Sequence, residues 1–188
     1  MKQKGINKIG IWTAILSFII GTIFFLMYFF SGSDNTAFTA YFFILIAGLL
    51  NLGILLTLIV KSIADKENKK SYLRTSGIML LNLPVVVLYF YFVMVLLNTM
   101  RIEFINETGK PIREIKILGC EPKSIDELDI NESETSWIGI TGDCSIRIEY
   151  EIDGEQKTEY VFGYVTSSMG QKSTYRIGNQ EKPIDETF

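Results

Sequence analysis

The chain has 188 residues, a formal net charge of −3 at pH 7, 48% hydrophobic residues, two cysteines and no histidine. Without an imidazole the common general base and the Ser/His and Cys/His nucleophile pairs are missing, and a zinc site of the usual nitrogen and sulfur type is excluded. The apolar residues gather in the first 100 positions, and the remainder is acidic.

Three runs, Ile9 to Phe30, Phe38 to Val60 and Gly77 to Met100, hold 22 to 24 residues each without Asp, Glu, Lys or Arg. At about 1.5 Å per helical residue each exceeds the roughly 30 Å hydrocarbon core of a bilayer. Residues 1–100 are therefore predicted to form a three-helix transmembrane domain with spans over about 9–30, 38–60 and 77–100. A buried helix of a soluble protein is normally shorter and keeps a polar face. Ser31 and Ser33 follow the first run at a cleavage-like spacing, but that run is too long for a usual signal-peptide core, so an uncleaved span is expected.

Basic residues set the expected orientation. Lys2, Lys4 and Lys8 precede the first run, and Lys61, Lys66, Lys69, Lys70 and Arg74 lie between the second and third, whereas 31–37 holds none. The positive-inside rule places the first two segments in the cytoplasm and the C-terminal region on the far side of a cell (inner) membrane, periplasmic or extracellular. Tyr28, Phe29, Phe30, Phe38 and Tyr41 at one edge, with Trp12 and Tyr72 at the other, fit interfacial aromatic belts. The cytoplasmic segments are too short to bury a core, so no cytoplasmic catalytic or DNA-binding domain is expected. Their charges are read as topology signals in preference to a headgroup-binding patch.

Within the runs the polar residues are few and uncharged. Asn51 lies nine residues from the inner end of its span and Asn82 five from its own, depths close enough for the two amides to meet across a helix interface. Gly10 with Ala14, Ser17 with Gly21, and Ala47, Gly48 and Gly53 provide small residues for close helix approach. Pro84 should bend the third span near its inner third, and Asn82 could satisfy a group freed there. Tyr89 and Tyr91 bring hydroxyls that need partners into apolar surroundings.

From Arg101 to Phe188 there are 18 acidic and 10 basic residues, with Gly and Asn turns between short alternating stretches. Cys144 to Ile152 alternates over nine residues, and Asp153-Gly154 then offers a hairpin turn into Lys157 to Val165. Ile102–Asn106 and Ile112–Leu118 flank Thr108-Gly109-Lys110-Pro111 and read as another hairpin. Ser136–Ile140 and Ser173–Ile177 complete the set. The predicted fold class is thus membrane α plus all-β, with a small antiparallel β-sandwich of the immunoglobulin-like kind over 101–177, a barrel being the alternative. The polar tail 178–188 is expected to be flexible.

Cys120 and Cys144 both fall in this region, where an oxidising compartment favours a disulfide over two buried thiols. The acidic stretch SIDELDINESE lacks the spacing of a calcium loop and reads as a solvated loop, and Thr166 to Gly170 as a turn. Asn106 and Asn131 begin glycosylation sequons from which nothing is drawn. No phosphate loop and no basic aromatic surface is present, so no catalytic residue, cofactor, metal or nucleic-acid site is assigned. The first strand starts where the third span ends, with no flexible linker. The expected function is that of a non-enzymatic accessory or assembly subunit, whose partners are the bilayer and a membrane or extracytoplasmic protein met by the β-domain. A small sensor whose outer domain binds a ligand is the alternative, and a carboxylate-based enzyme ranks last.

Overall fold

A computed structural model describes residues 3–179. From Gln180 onward the expected flexible tail lies outside the described residues, as does Lys2. The chain divides into two compact units, 1–92 and 93–188.

The first unit is helical: α1 (Gln3–Ser31), α2 (Asp34–Ala64), α3 (Lys69–Leu80) and most of α4 (Asn82–Leu97). Three helical stretches, Gly5–Ser31, Asp34–Ala64 and Lys69–Leu97, are long and apolar enough to cross a membrane. Their apolar side chains mostly face outward, as Leu49, Ile63 and Phe38 do, which is the inverse of a water-soluble bundle. The third stretch is interrupted at Leu81, between α3 and α4. Pro84 explains the place, because it has no N–H for the Leu80 carbonyl four residues back and its ring crowds that carbonyl. Where α1, α2 and α3 converge, Ala14, Leu58, Tyr72 and Met79 form a small core. Gly10 makes the close approach possible, since a Cβ there would stand 3.0 Å from Thr75 Cγ2 and 3.2 Å from Leu58 Cδ1. Gly48 and Gly53 differ from this, with open space around them.

Among the described residues the second unit holds seven strands: β1 (Thr99–Asn106), β2 (Ile112–Leu118), β3 (Lys123–Leu128), β4 (Ser133–Gly139), β5 (Cys144–Ile152), β6 (Glu155–Val165) and β7 (Lys172–Ile177). They make two mostly antiparallel sheets, a three-stranded one in the order β4-β1-β7 and a four-stranded one in the order β3-β2-β5-β6. One hydrophobic core takes Met100, Ile102, Phe104, Ile138 and Ile177 from the first sheet and Ile117, Ile146, Ile148, Val161 and Phe162 from the second. β5 carries the alternation its sequence promised, with Ile146, Ile148, Tyr150 and Ile152 buried. The Asp153-Gly154 turn has positive φ at both residues, 55° and 78°, as the tight hairpin turn requires.

Four expectations are corrected. Helix α4 ends at Leu97 and not at Met100, which is a fully buried core residue of β1. β1 and β2 do not form a hairpin: they lie in different sheets, because β1 is paired on both sides, antiparallel to β4 and parallel to β7. That parallel pair also makes the three-stranded sheet mixed, where antiparallel pairing throughout was expected. The stretch expected to be an acidic loop contains β3, which pairs with β2 and buries Ile125 and Leu128. Its burial has a period of three, matched by Ile112 and Ile115 opposite, where Glu114 takes a positive φ of 50° and the β2–β5 register shifts.

Candidate functional site

The passage from helix to strand is a single residue, Asn98, and the last turn of α4 from Val93 belongs to the same compact unit as the sheets. A helix end leaves carbonyls without intrahelical partners. Here the Leu97 carbonyl accepts from Gly170 N–H at 2.8 Å, and the Asn98 carbonyl from Ile140 N–H at 2.9 Å. The Asn98 side chain donates to the Met94 carbonyl at 2.9 Å and accepts from Ser168 N–H at 3.3 Å, while Thr99 Oγ1 donates to the Val95 carbonyl at 2.8 Å. The 166–170 segment is indeed a turn, with Met169 N–H bonded to the Thr166 carbonyl, but it is also the piece that holds the helix end. Only glycine fits at 170, since a Cβ would come within 2.3 Å of the Leu96 carbonyl oxygen.

Asp143 anchors this loop from the neighbouring turn. It accepts from Thr166 Oγ1 at 2.6 Å, and the hydrogen bonds of Thr166 and then Tyr164 hold its carboxyl below the ordinary carboxylate range. Beside it Cys120 and Cys144 are joined as a disulfide, with Cα atoms 5.4 Å apart, tying the end of β2 to the start of β5. Gly119 lets the strands close there, because a Cβ would overlap the Ser145 carbonyl oxygen. Glu121 exchanges bonds with Gly139, its N–H donating to the Gly139 carbonyl and its carboxylate accepting from Gly139 N–H at 2.9 Å. Lys123 at 2.7 Å and this N–H lower the Glu121 carboxyl from its usual range.

The three-stranded sheet adds a row across its outer face. Trp137 on β4 and Lys172 on β7 are the cross-strand neighbours of Arg101 on β1, and the Arg101 guanidinium lies 5.8 Å from the Trp137 ring centroid. Arg101 is buried, whereas Trp137 is 44% and Tyr164 55% exposed.

Asn51 and Asn82 do not bond each other. Asn51 Nδ2 donates to Ser17 Oγ at 2.7 Å and to the Ala47 carbonyl at 2.8 Å, and Asn82 Nδ2 donates to the Ala14 carbonyl at 2.9 Å. Both amides thus reach α1, and Asn82 serves a carbonyl of that helix and not one freed by Pro84. The Tyr89 hydroxyl finds Thr22 Oγ1 at 2.8 Å, with its ring stacked on Phe25 at 4.6 Å, so its partner lies within the chain.

Two buried polar clusters escaped the sequence. Asn106 is fully buried; its Nδ2 donates to the carbonyls of Lys110, Leu128 and Asp129, and its Oδ1 accepts from Thr108 N–H and Oγ1. This buried amide is closed to glycosylation in the folded protein. Glu159 on β6 accepts from the Tyr150 hydroxyl of its own sheet at 2.6 Å, the Tyr175 hydroxyl of the other sheet at 2.9 Å and Gly178 N–H at 3.2 Å. Burial first, and the Glu159 carboxylate with it, raises both tyrosines well above the usual phenol range. The only sequence sign of the first cluster was an Asn two residues before a Thr-Gly turn, a common Asx-type arrangement. The second had none, since its members are far apart in the chain.

No family model matches this chain, and no curated protein matches it. One solved structure, titled as the NMR structure of the protein from Eubacterium rectale, is similar at 18% identity over 42% of this chain and 74% of that one, with a TM-score of 0.33. A likeness this low carries no argument about fold or activity.

In chemical terms the helix-proximal end of the second unit is built for fixation. Its hydroxyls and carboxylates are engaged: Thr166 with Asp143, Glu121 with Lys123 and Gly139.

Proposed function

We propose that this chain is a multi-pass integral protein of the cell membrane that presents an extracytoplasmic β-domain, an immunoglobulin-like sandwich, for contact with a protein at the membrane surface. It acts as a non-enzymatic accessory or assembly subunit. The observation that carries this reading is the junction: Asn98 alone separates α4 from β1, and the 166–170 loop binds the helix end. A module that captures distant ligands needs a tether, whereas a domain joined this tightly is restricted to neighbours beside the bilayer.

Orientation rests on the Lys and Arg count, which favours the 65–68 turn inside and the β-domain outside. The disulfide leaves no free cysteine among the described residues, so a single introduced thiol reports alone. An impermeant thiol reagent on intact cells is expected to modify Asp34→Cys and Lys157→Cys but not Glu67→Cys; labelling of Glu67→Cys alone would reverse the topology. Function is tested by cross-linking in cells and purification in mild detergent. A membrane protein is expected to co-purify, and a flexible insertion of about ten residues after Leu97 should lower its yield by diluting the domain away from the partner. Undiminished yield with that insertion would show that proximity is irrelevant.

A further inference from the structure

The helix-proximal end of the β unit carries two exposed aromatic side chains. Within about 7 Å along β1 from Thr99, allowing roughly 3.3 Å per residue, lies the row Trp137, Arg101, Lys172. On the other sheet Tyr164 stands next to the start of the loop that bonds the Leu97 carbonyl. Acids stand at both ends of the unit: Asp143 and Glu121 beside the helix end, and Glu107, Asp129 and Glu132 around the Asn106 turn, where Asp153 meets Lys110. An exposed Trp and an exposed Tyr on two different sheets, both at the level of a helix end, match the side chains that settle among lipid headgroups, with an apolar ring and a polar edge each.

We infer that this rim of the second unit, Trp137 with Tyr164, is a lipid-headgroup surface at the bilayer that α4 crosses. The inference rests on the membrane reading above and adds the partner of one specified surface. The buried Arg101 guanidinium against the indole fixes the ring's position in the sheet. The faces not committed to lipid are then those left for protein contact.

The chain has two tryptophans, Trp12 and Trp137, so each can be made the sole reporter. The full-length protein, as Trp12→Phe or as Trp137→Phe, is reconstituted into phosphatidylcholine and phosphatidylglycerol bilayers. These contain lipid carrying a nitroxide either on the headgroup or at mid-chain. In Trp12→Phe, the Trp137 emission is expected to fall with the headgroup nitroxide and to stay nearly unchanged with the mid-chain one. In Trp137→Phe, quenching of Trp12 by either probe reports helix insertion. Quenched Trp12 with unquenched Trp137 overturns the headgroup surface while the membrane reading stands, and points to a protein covering the rim. If neither tryptophan is quenched, the membrane reading fails and the inference falls with it. Stronger quenching of Trp137 by the mid-chain probe would also overturn it, by burying the rim in hydrocarbon.

Discussion

Asn106→Ala should be among the most damaging single changes in the β unit. The side chain is fully buried and makes five hydrogen bonds, three donated and two accepted. Not all of its partners are orphaned by the change. The Lys110 carbonyl keeps Thr108 Oγ1, and the Asp129 carbonyl keeps Glu132 N–H. The Leu128 carbonyl, in the buried part of the cluster, loses the Asn106 donor. Losing buried hydrogen bonds of this kind costs about 1–3 kcal/mol, and the vacated volume and the loosened Thr108 turn add to it, so a loss of about 3 kcal/mol is expected. Asn106→Asp should cost more, because a carboxylate would face three carbonyl oxygens. The assay is urea unfolding of the full chain in detergent, in a Trp12→Phe background where Trp137 reports on the β unit alone, with the slope checked for constancy. A loss below about 1 kcal/mol for Asn106→Ala would refute the claim that this amide organises the far end of the unit.

Asn51→Leu and Asn82→Leu should each cost about 1 kcal/mol or less and add without coupling in a double-mutant cycle, because each amide reaches α1 separately; a coupling well above 0.5 kcal/mol would mean that they bond each other. Breaking the disulfide by Cys120→Ser should remove about 3 kcal/mol by the chain-entropy argument for a sequence separation of 24. Without reductant the native chain should weigh about two hydrogens less than its reduced form, and thiols that alkylate freely after unfolding would rule the bridge out. Asp143 and Glu121 have lowered carboxyl pKa values in the folded state, so the unfolded chain binds more protons as acid is added. Their stabilisation is present above the ordinary carboxylate range near pH 4 and is lost as pH falls through the lowered values. Asp143→Asn should therefore flatten the acid limb of the Trp137 unfolding curve, and an unchanged limb would remove Asp143 from the loop's support.

The sequence was most legible where one pattern had one cause. Cys144 to Ile152 alternates because one face meets the core and the other meets solvent, and the structure keeps that alternation. Lys123 to Leu128 was illegible for the converse reason: Ile125 and Leu128 are three apart with acids between, a spacing that suits a strand only opposite the irregularity at Glu114. The turn chemistry of Thr108 to Pro111 was recognised, yet local turn chemistry cannot say which strand takes the edge of β1, a choice settled by β4 and β7. Likewise the similar depths of Asn51 and Asn82 were readable, but depth leaves the direction around each helix axis open, and α1 supplied the nearer acceptors. Helix-end chemistry was hidden in the same way. Gly170 caps Leu97 from more than 70 positions away, and no local signal marks it.

The parallel pair of β1 and β7 has a consequence for biosynthesis. β1 emerges first and β7 last among the strands, so one edge of β1 stays open until Lys172–Ile177 arrives. About 70 residues separate Arg101 from Lys172. At about 5–20 residues per second that edge is exposed for roughly 4–14 s of synthesis. On the membrane reading, the whole of 99–177 must cross as extended chain behind an already inserted α4 before the sheet can close. The open edge would then wait at the bilayer surface, where strand pairing with a second emerging copy competes with self-closure. A nonsense mutation between β6 and β7 would make that transient state permanent, leaving an anchored product with an unpaired β1 edge and a strong tendency to aggregate.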